Sequence, residues 1–217
     1  MVWLWILLGI LLIFLALGLA GFETACVRRE LPPQALTEEY LRGTSRAKWA
    51  EDFVFSSDWF YAQKPQTLRV MSYDGKMLSA RFLPREDAKG MILLFHGYRS
   101  SGLLDFGPEL EFLHRQGYNL LLCDQRAHGA SQGRYMTFGV RERYDVLSWV
   151  TYLAQMLGAE HPMFLSGMSM GATTVLMASC FEFPANVRGI VADCGFTSPW
   201  DIMKSVLHVR CKWLPAA

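Results

Sequence analysis

The stretch His161-Pro-Met-Phe-Leu-Ser-Gly-Met-Ser169-Met-Gly-Ala-Thr-Thr-Val-Leu-Met177 joins a short apolar run to Gly-Met-Ser-Met-Gly and then to a run of small residues. It reads as strand, sharp turn, helix. A serine hydroxyl becomes a useful nucleophile only when it stands clear of the backbone, beside a base and near donors able to hold an oxyanion. A G-x-S-x-G turn supplies that position. Gly167 and Gly171 lack the Cβ atoms that would collide in so tight a bend, Ser169 sits at its apex, and the Met170 N–H opens the helix toward the site. The competing reading of the same residues is a turn in which Ser169 merely caps the helix. A strand before the turn and Ala172 to Ala178 after it favour the nucleophile.

Composition bounds what surrounds this turn. The chain has 217 residues, 52% hydrophobic and 19% charged, with a formal net charge of +1, which excludes a disordered polyelectrolyte. Its 21 basic residues are scattered and balanced by 20 acidic ones, so no nucleic acid partner is expected. The five cysteines, Cys26, Cys123, Cys180, Cys194 and Cys211, show no C-x-x-C pairing and suit a reducing compartment for the globular part. No pair among the five histidines has zinc-ligand spacing, and neither a metal nor a cofactor is expected.

Residues 2–20 are uniformly apolar, and no charge appears before Glu23. At about 1.5 Å per residue such a helix reaches across a hydrocarbon layer of about 30 Å. Trp3 and Trp5 would lie at one interface, with Arg28 and Arg29 beyond the other. With no Lys or Arg ahead of the helix, the positive-inside rule places the rest in the cytoplasm, as a single-pass membrane protein. The alternative is a cleaved signal peptide ending at Gly18-Leu19-Ala20, although its basic leader is missing. The domains read as an anchor over residues 1–22, a juxtamembrane arm over 23–66 and a globular domain over 67–217.

In the arm, Leu31-Pro-Pro33 stops the helix and Thr37 begins a capped turn, while Trp49, Phe53, Phe55, Trp59, Phe60 and Tyr61 are assigned to packing. Residues 67–73 and 76–84 alternate around Asp74-Gly75 as a hairpin. The continuous apolar runs 91–95 and 118–123 read as strands covered on both faces. Between them a helix is predicted to begin at Pro108 and stop at Gly117. The next helix should bury Val140, Tyr144, Leu147, Val150, Ala154 and Leu157 and expose Arg141, Glu142, Asp145 and Ser148. A strand over 187–192 and a helix capped near Ser198 and Asp201 close the pattern. Alternation of strands and helices predicts an α/β fold, a mostly parallel sheet between two helical layers.

These residues resemble the α/β-hydrolase superfamily from about Thr67 to Trp213. The marks are His96-Gly97, then Asp124-x-Arg-x-His128-Gly-x-Ser131, then Gly167-x-Ser169-x-Gly171, each after its strand and in order. The apolar leader and Phe138-Gly-Val-Arg-Glu-Arg-Tyr-Asp145 are similar to bacterial membrane-associated hydrolases grouped with serine aminopeptidase-like proteins. The resemblance implies a serine hydrolase of ester, thioester or amide bonds, acting on a small molecule or peptide with a carbonyl. It also implies an acyl-enzyme on Ser169, with the Tyr98 and Met170 N–H groups as oxyanion hole. Asp124 and His128 precede the serine, the wrong order for the acid and base of this fold, and read as a loop stitched by its own side chains. Asp193 reads as a cap or loop partner, and His208 and His114 as surface residues. The resemblance further implies two more strands, carrying the acid and then the histidine, which do not occur in these 217 residues. The chain is thus expected to be C-terminally incomplete and inactive alone. The other function class left open is a non-catalytic membrane-tethered module that keeps the turn as structure.

Overall fold

The computed structural model of the chain describes residues 2–158 and 160–210. Helix α1 (Val2–Cys26) is apolar, long enough to cross a bilayer, and turns its apolar side chains outward over most of its length. Pro32 and Pro33 cannot extend a helix, and the chain turns into α2 (Glu38–Arg42). Thr37 caps it by accepting the Tyr40 N–H at 3.4 Å, and Arg42 pairs with Glu38 one turn back.

A short 3₁₀ turn, Ala47–Trp49, leads into α3 (Ala50–Ala62). The sequence pattern leaves this segment as an arm because its inward stripe, Ala50, Phe53, Ser56, Ser57 and Phe60, is interrupted by two serines. Ser56 satisfies its buried hydroxyl within the helix, donating to the Asp52 carbonyl at 2.6 Å. Phe53, Phe60 and part of Trp59 pack as expected of the aromatic set. Trp49, Phe55 and Tyr61 do not: they lie off that stripe and are 50%, 63% and 53% exposed.

Six strands follow, β1 (Gln66–Met71), β2 (Met77–Leu83), β3 (Gly90–Phe95), β4 (Tyr118–Asp124), β5 (Met163–Met168) and β6 (Val187–Asp193). They lie in the order β1-β2-β4-β3-β5-β6, with β2 antiparallel to both of its neighbours and the other pairs parallel. Alternate residues of β3 serve opposite faces, as period-two geometry requires. Met91, Leu93 and Phe95 join Val146, Trp149 and Val150 of α5 (Glu142–Leu157) and Val175 of α6 (Met170–Ala178). Ile92 and Leu94 join Phe60 and the inner face of α4 (Gly102–Arg115). The expected sheet between two helical layers is therefore the observed one.

Two helices depart from the pattern read in the sequence. Helix α4 starts at Gly102, not Pro108, because Ser101 caps it by accepting the Leu104 N–H at 3.3 Å. Pro108 then lies inside the helix, where its missing N–H leaves the Leu104 carbonyl without its usual partner. Arg46 fills the vacancy, donating from Nε to Leu104 O at 3.1 Å while its Nη2 reaches Asp105 at 3.0 Å. Helix α5 turns its two carboxylates inward. Glu142 and Asp145 are 1% and 4% exposed, opposite to the solvent face assigned from polarity, while Val140 precedes the helix and is 45% exposed. Each buried acid has its reason. Glu142 accepts from the N–H groups of Thr137 and Gly139 and from the Thr137 hydroxyl, and Asp145 forms a two-pronged pair with Arg126 at 2.6 Å on each arm. Helix α7 (Pro199–Arg210) is capped by Ser198, which accepts the Asp201 N–H at 3.1 Å.

Candidate active site

Strands β3 and β5 run in parallel, so both deliver their following loops to the carboxyl end of the sheet. There Ser169 stands between β5 and α6 with φ 53° and ψ −111°, a strained backbone for a residue with a Cβ. The packing around it leaves no room for relaxation. A Cβ on Gly167 would lie 2.3 Å from the Gly171 carbonyl, and one on Gly171 would lie 1.8 Å from the Phe95 carbonyl oxygen. The Ser169 N–H donates to Asp193 O at 2.8 Å, tying the turn to the end of β6. Its hydroxyl makes no capping bond to α6 and no other hydrogen bond among the described residues. The Met170 N–H is the first of α6, where no intrahelical acceptor exists.

The His96-Gly97-Tyr98 loop after β3 is brought against this turn. A Cβ on Gly97 would lie 3.3 Å from Ser169 Cβ, and the Gly97 N–H donates to Asp105 Oδ2 at 2.6 Å. His96 is fully buried. Its Nε2 accepts the Gln125 N–H at 3.2 Å, so its Nδ1 carries the proton and donates to Gly97 O at 2.8 Å. Gln125 also bonds His96 O and accepts from Thr174 Oγ1, joining the ends of β3 and β4 to α6.

His128 lies 4.8 Å from His96, ring centre to ring centre. Its Nε2 accepts the Arg99 N–H and its Nδ1 donates to Arg126 O, each at 3.0 Å, so both nitrogens are engaged by backbone. Asp124 accepts the Ala130 N–H at 2.9 Å, and the Asp124 carbonyl accepts from the Ser131 hydroxyl at 2.6 Å. These two residues brace the loop and the backbone beyond Tyr98. The Asp193 carboxylate is exposed and makes no hydrogen bond among the described residues, neither cap nor loop tie. His208 is exposed on α7, and His114 is half-buried with its Nε2 3.1 Å from Pro84 O.

A residue that polarity alone does not single out is Arg126. Its side chain is 2% exposed, holds Asp145 of α5 and also reaches Asp74 in the β1–β2 turn at 3.2 Å. Burial would lower its pKa, but the two carboxylates win and raise it. Burial pushes Asp145 up to about 6 against the pull of Arg126. The signal in sequence is Asp145 lying four residues ahead of Trp149 on the buried stripe of α5.

Ser169 opens onto a cavity of about 490 Å³. Tyr98, Phe138 and Phe196 line it, with Phe138 stacked on Tyr98 at 5.4 Å and set edge-on to Phe196 at 6.3 Å. Phe138 is held there at φ 53° by the Glu142 bonds on either side of it. Four apolar residues of α7, Ile202, Met203, Val206 and Leu207, form another wall. Gly21, Thr24 and Ala25, at the end of α1, form a third.

Compared with known proteins, residues 86–216 match the profile of the family described as serine aminopeptidase, S33. An uncharacterised protein of Bacillus subtilis, YqkD, is 28% identical over 113 residues, covering 51% of this chain and 36% of that protein. The thiohydrolase aneE of Aspergillus aculeatus is 26% identical over 130 residues, covering 58% of this chain and 40% of that one. Among solved structures, the Pyrococcus furiosus esterase Pf2001 superposes with a TM-score of 0.59 at 25% identity, over 71% of this chain and 58% of the esterase. The chain therefore spans well under two thirds of the length of these relatives.

The two buried histidines give the site a pH signature. Burial, and then the neighbouring His96, hold His128 down at about 3, and burial likewise lowers His96. Both groups are neutral when folded, so their contribution is complete above the unfolded value of about 6.5 and is lost as pH falls below it. Asp145 opposes this, since a raised carboxyl gains stability on acidification through about 6. From pH 7 to pH 5 His128 alone should cost about 2 kcal/mol. Thermal unfolding should show a lower midpoint at pH 5 than at pH 7, with the gap narrowed in His128→Gln; equal gaps in wild type and variant would contradict the assignment.

Proposed function

The chain belongs to the serine aminopeptidase S33 family of α/β-hydrolases, and from that premise we propose that it is a serine hydrolase acting through an acyl-enzyme on Ser169. The observation that carries this reading is the strained Ser169 turn, which lines the 490 Å³ cavity and whose hydroxyl caps nothing. Strain at a residue with a Cβ persists only where the surroundings over-determine it, and an uncommitted hydroxyl on such a turn is what nucleophilic attack requires.

In the proposed reaction the Ser169 oxygen attacks the carbonyl carbon of an ester, thioester or amide, and its proton passes to a base. The carbonyl oxygen becomes an oxyanion held by the N–H groups of Tyr98 and Met170, the first placed by the braced loop after β3 and the second aided by the α6 dipole. Collapse breaks the bond to the leaving group, which departs with a proton. Water then cleaves the acyl-serine and releases a carboxylic acid. Both nitrogens of His96 and of His128 are engaged, and His208 is exposed. None of these three histidines is the base in this proposal, and the three-part arrangement of the fold still calls for an acid and a histidine.

A second reading has one observation in its favour: among the described residues no side chain bonds the Ser169 hydroxyl, as in a tethered module without chemistry. A single experiment separates the two. In protein made from its complete reading frame, a fluorophosphonate probe should label wild type and not Ser169→Ala, with turnover of p-nitrophenyl esters falling by on the order of 10⁴-fold or more. Labelling that persists in Ser169→Ala overturns the serine assignment.

Helix α1 is assigned as a retained single-pass anchor with the domain on the cytoplasmic side. The length and apolar character of Val2–Cys26, enough to cross a bilayer, support this reading. Carbonate extraction should leave the protein in the membrane pellet. A mature amino terminus at Gly21 would instead identify a cleaved leader.

A further inference from the structure

Helix α1 does not simply precede the domain; its last turn is built into the wall of the Ser169 cavity. The Tyr98 hydroxyl donates to Ala25 O at 2.8 Å, Arg99 Nη2 donates to Thr24 O at 2.5 Å, and the Met136 N–H donates to Cys26 O at 2.7 Å. These bonds occupy carbonyls at the end of the helix that no intrahelical N–H could reach. Two residues later, Arg28 N–H donates to Arg134 O at 2.7 Å and its guanidinium to Ser131 O at 2.6 Å and Gly129 O at 2.5 Å. The direction of the helix relative to the cavity is thereby fixed. The rest of α1 stands outside the domain with its apolar side chains uncovered.

A hydrocarbon layer of about 30 Å needs about 20 helical residues, which starting from Val2 ends at Gly21. Gly21 is the first cavity-lining residue of α1. The cavity thus opens where acyl chains meet headgroups, with Arg28 and Arg134 alongside. Its walls at Gly21, Ala25, Phe138, Ile202, Val206 and Leu207 offer carbon, Ser169 is among its lining residues, and the polar tips of Tyr98 and Arg99 are taken up by carbonyls at the end of α1. A cavity with one reactive hydroxyl at its head and apolar walls leading to a bilayer suits a substrate with a carbonyl at one end and a hydrocarbon tail.

We infer that the substrate is a long-chain acyl ester or thioester taken laterally from the membrane, its chain lying between the last turn of α1 and α7. This rests on the reading of Ser169 as nucleophile, but the binding it describes is measurable without turnover. Counted from water, each methylene favours the bound chain by roughly fourfold, and that gain is already made on entering the bilayer, so a chain of about ten or more carbons is delivered to the cavity by the membrane while a short one stays in solution.

The test uses protein from the complete reading frame in phosphatidylcholine–phosphatidylglycerol vesicles containing a 16-carbon fatty acid with a terminal diazirine. After irradiation, peptide mapping should place adducts on residues 21–25 and 202–207 as well as along the lipid-facing part of α1. Ala25→Trp and, separately, Leu207→Trp, which fill the cavity from opposite walls, should each lower the cavity adducts at least fivefold and leave those on residues 2–19 unchanged. A melting midpoint within a few degrees of wild type identifies the variants as folded. Adducts confined to residues 2–19, or cavity adducts indifferent to both substitutions, overturn the inference. Displacement of the probe by a soluble leucine-rich peptide but not by lysophosphatidylcholine overturns it as well. Fluorophosphonate labelling of wild-type Ser169 is scored separately, so a failure of the serine reading is distinguishable from a failure of the acyl-chain reading.

Discussion

The closeness of α6 to β3 is the constraint from which the site follows. With the Gly171 Cα so near the Phe95 carbonyl that even a methyl group would sit 1.8 Å from its oxygen, the helix begins directly against the end of the central strand. Gly167 makes the matching approach on the other side of the turn. Held at both ends, the chain between has no relaxed path, and Ser169 takes the positive φ that lifts its side chain over the carboxyl edge of the sheet. The loop after His96 lies against the same turn, a Cβ on Gly97 falling 3.3 Å from Ser169 Cβ. A larger residue at either glycine would move the helix and dissolve the arrangement rather than merely crowd it.

The loop after β3 is positioned by polar groups that are almost entirely out of water. His96, Gln125 and Thr174 connect two strand ends and a helix, and His128 carries the backbone at Arg99. Behind them, Arg126 joins Asp145 and Asp74, so the β1–β2 turn, the loop after β4 and α5 share one buried cation. Such a group is costly unless every member is satisfied, and here each arm finds a partner.

Much of the fold was legible because it rests on local rules. The apolar runs that became β3 and β4, the hairpin around Asp74-Gly75 and the strand–turn–helix at Ser169 each follow from period, turn residues or the absence of a Cβ. The errors arose where a distant residue overrode a local rule. Pro108 starts a helix by propensity, yet Arg46, sixty or so positions away in sequence, satisfies the carbonyl that the proline leaves open. Glu142 and Asp145 are solvent residues by polarity, yet a loop and Arg126 draw them inward. The helical stripe of α3 was hidden by two serines, of which Ser56 bonds the backbone of its own helix. The participation of α1 in the cavity was not legible at all, since an apolar leader gives no sign of which carbonyls at its end will be met by Tyr98 and Arg99.

The central claim is that the turn at Ser169 and the loop after β3 together form a nucleophile and an oxyanion hole. The most direct measurement is an experimental structure of the membrane-embedded protein from its complete reading frame after reaction with a fluorophosphonate. The account predicts phosphorus bonded to Ser169 Oγ, with one phosphoryl oxygen about 2.7–3.1 Å from the backbone nitrogens of both Tyr98 and Met170. A phosphoryl oxygen turned away from both nitrogens, or an adduct on another residue, would contradict it.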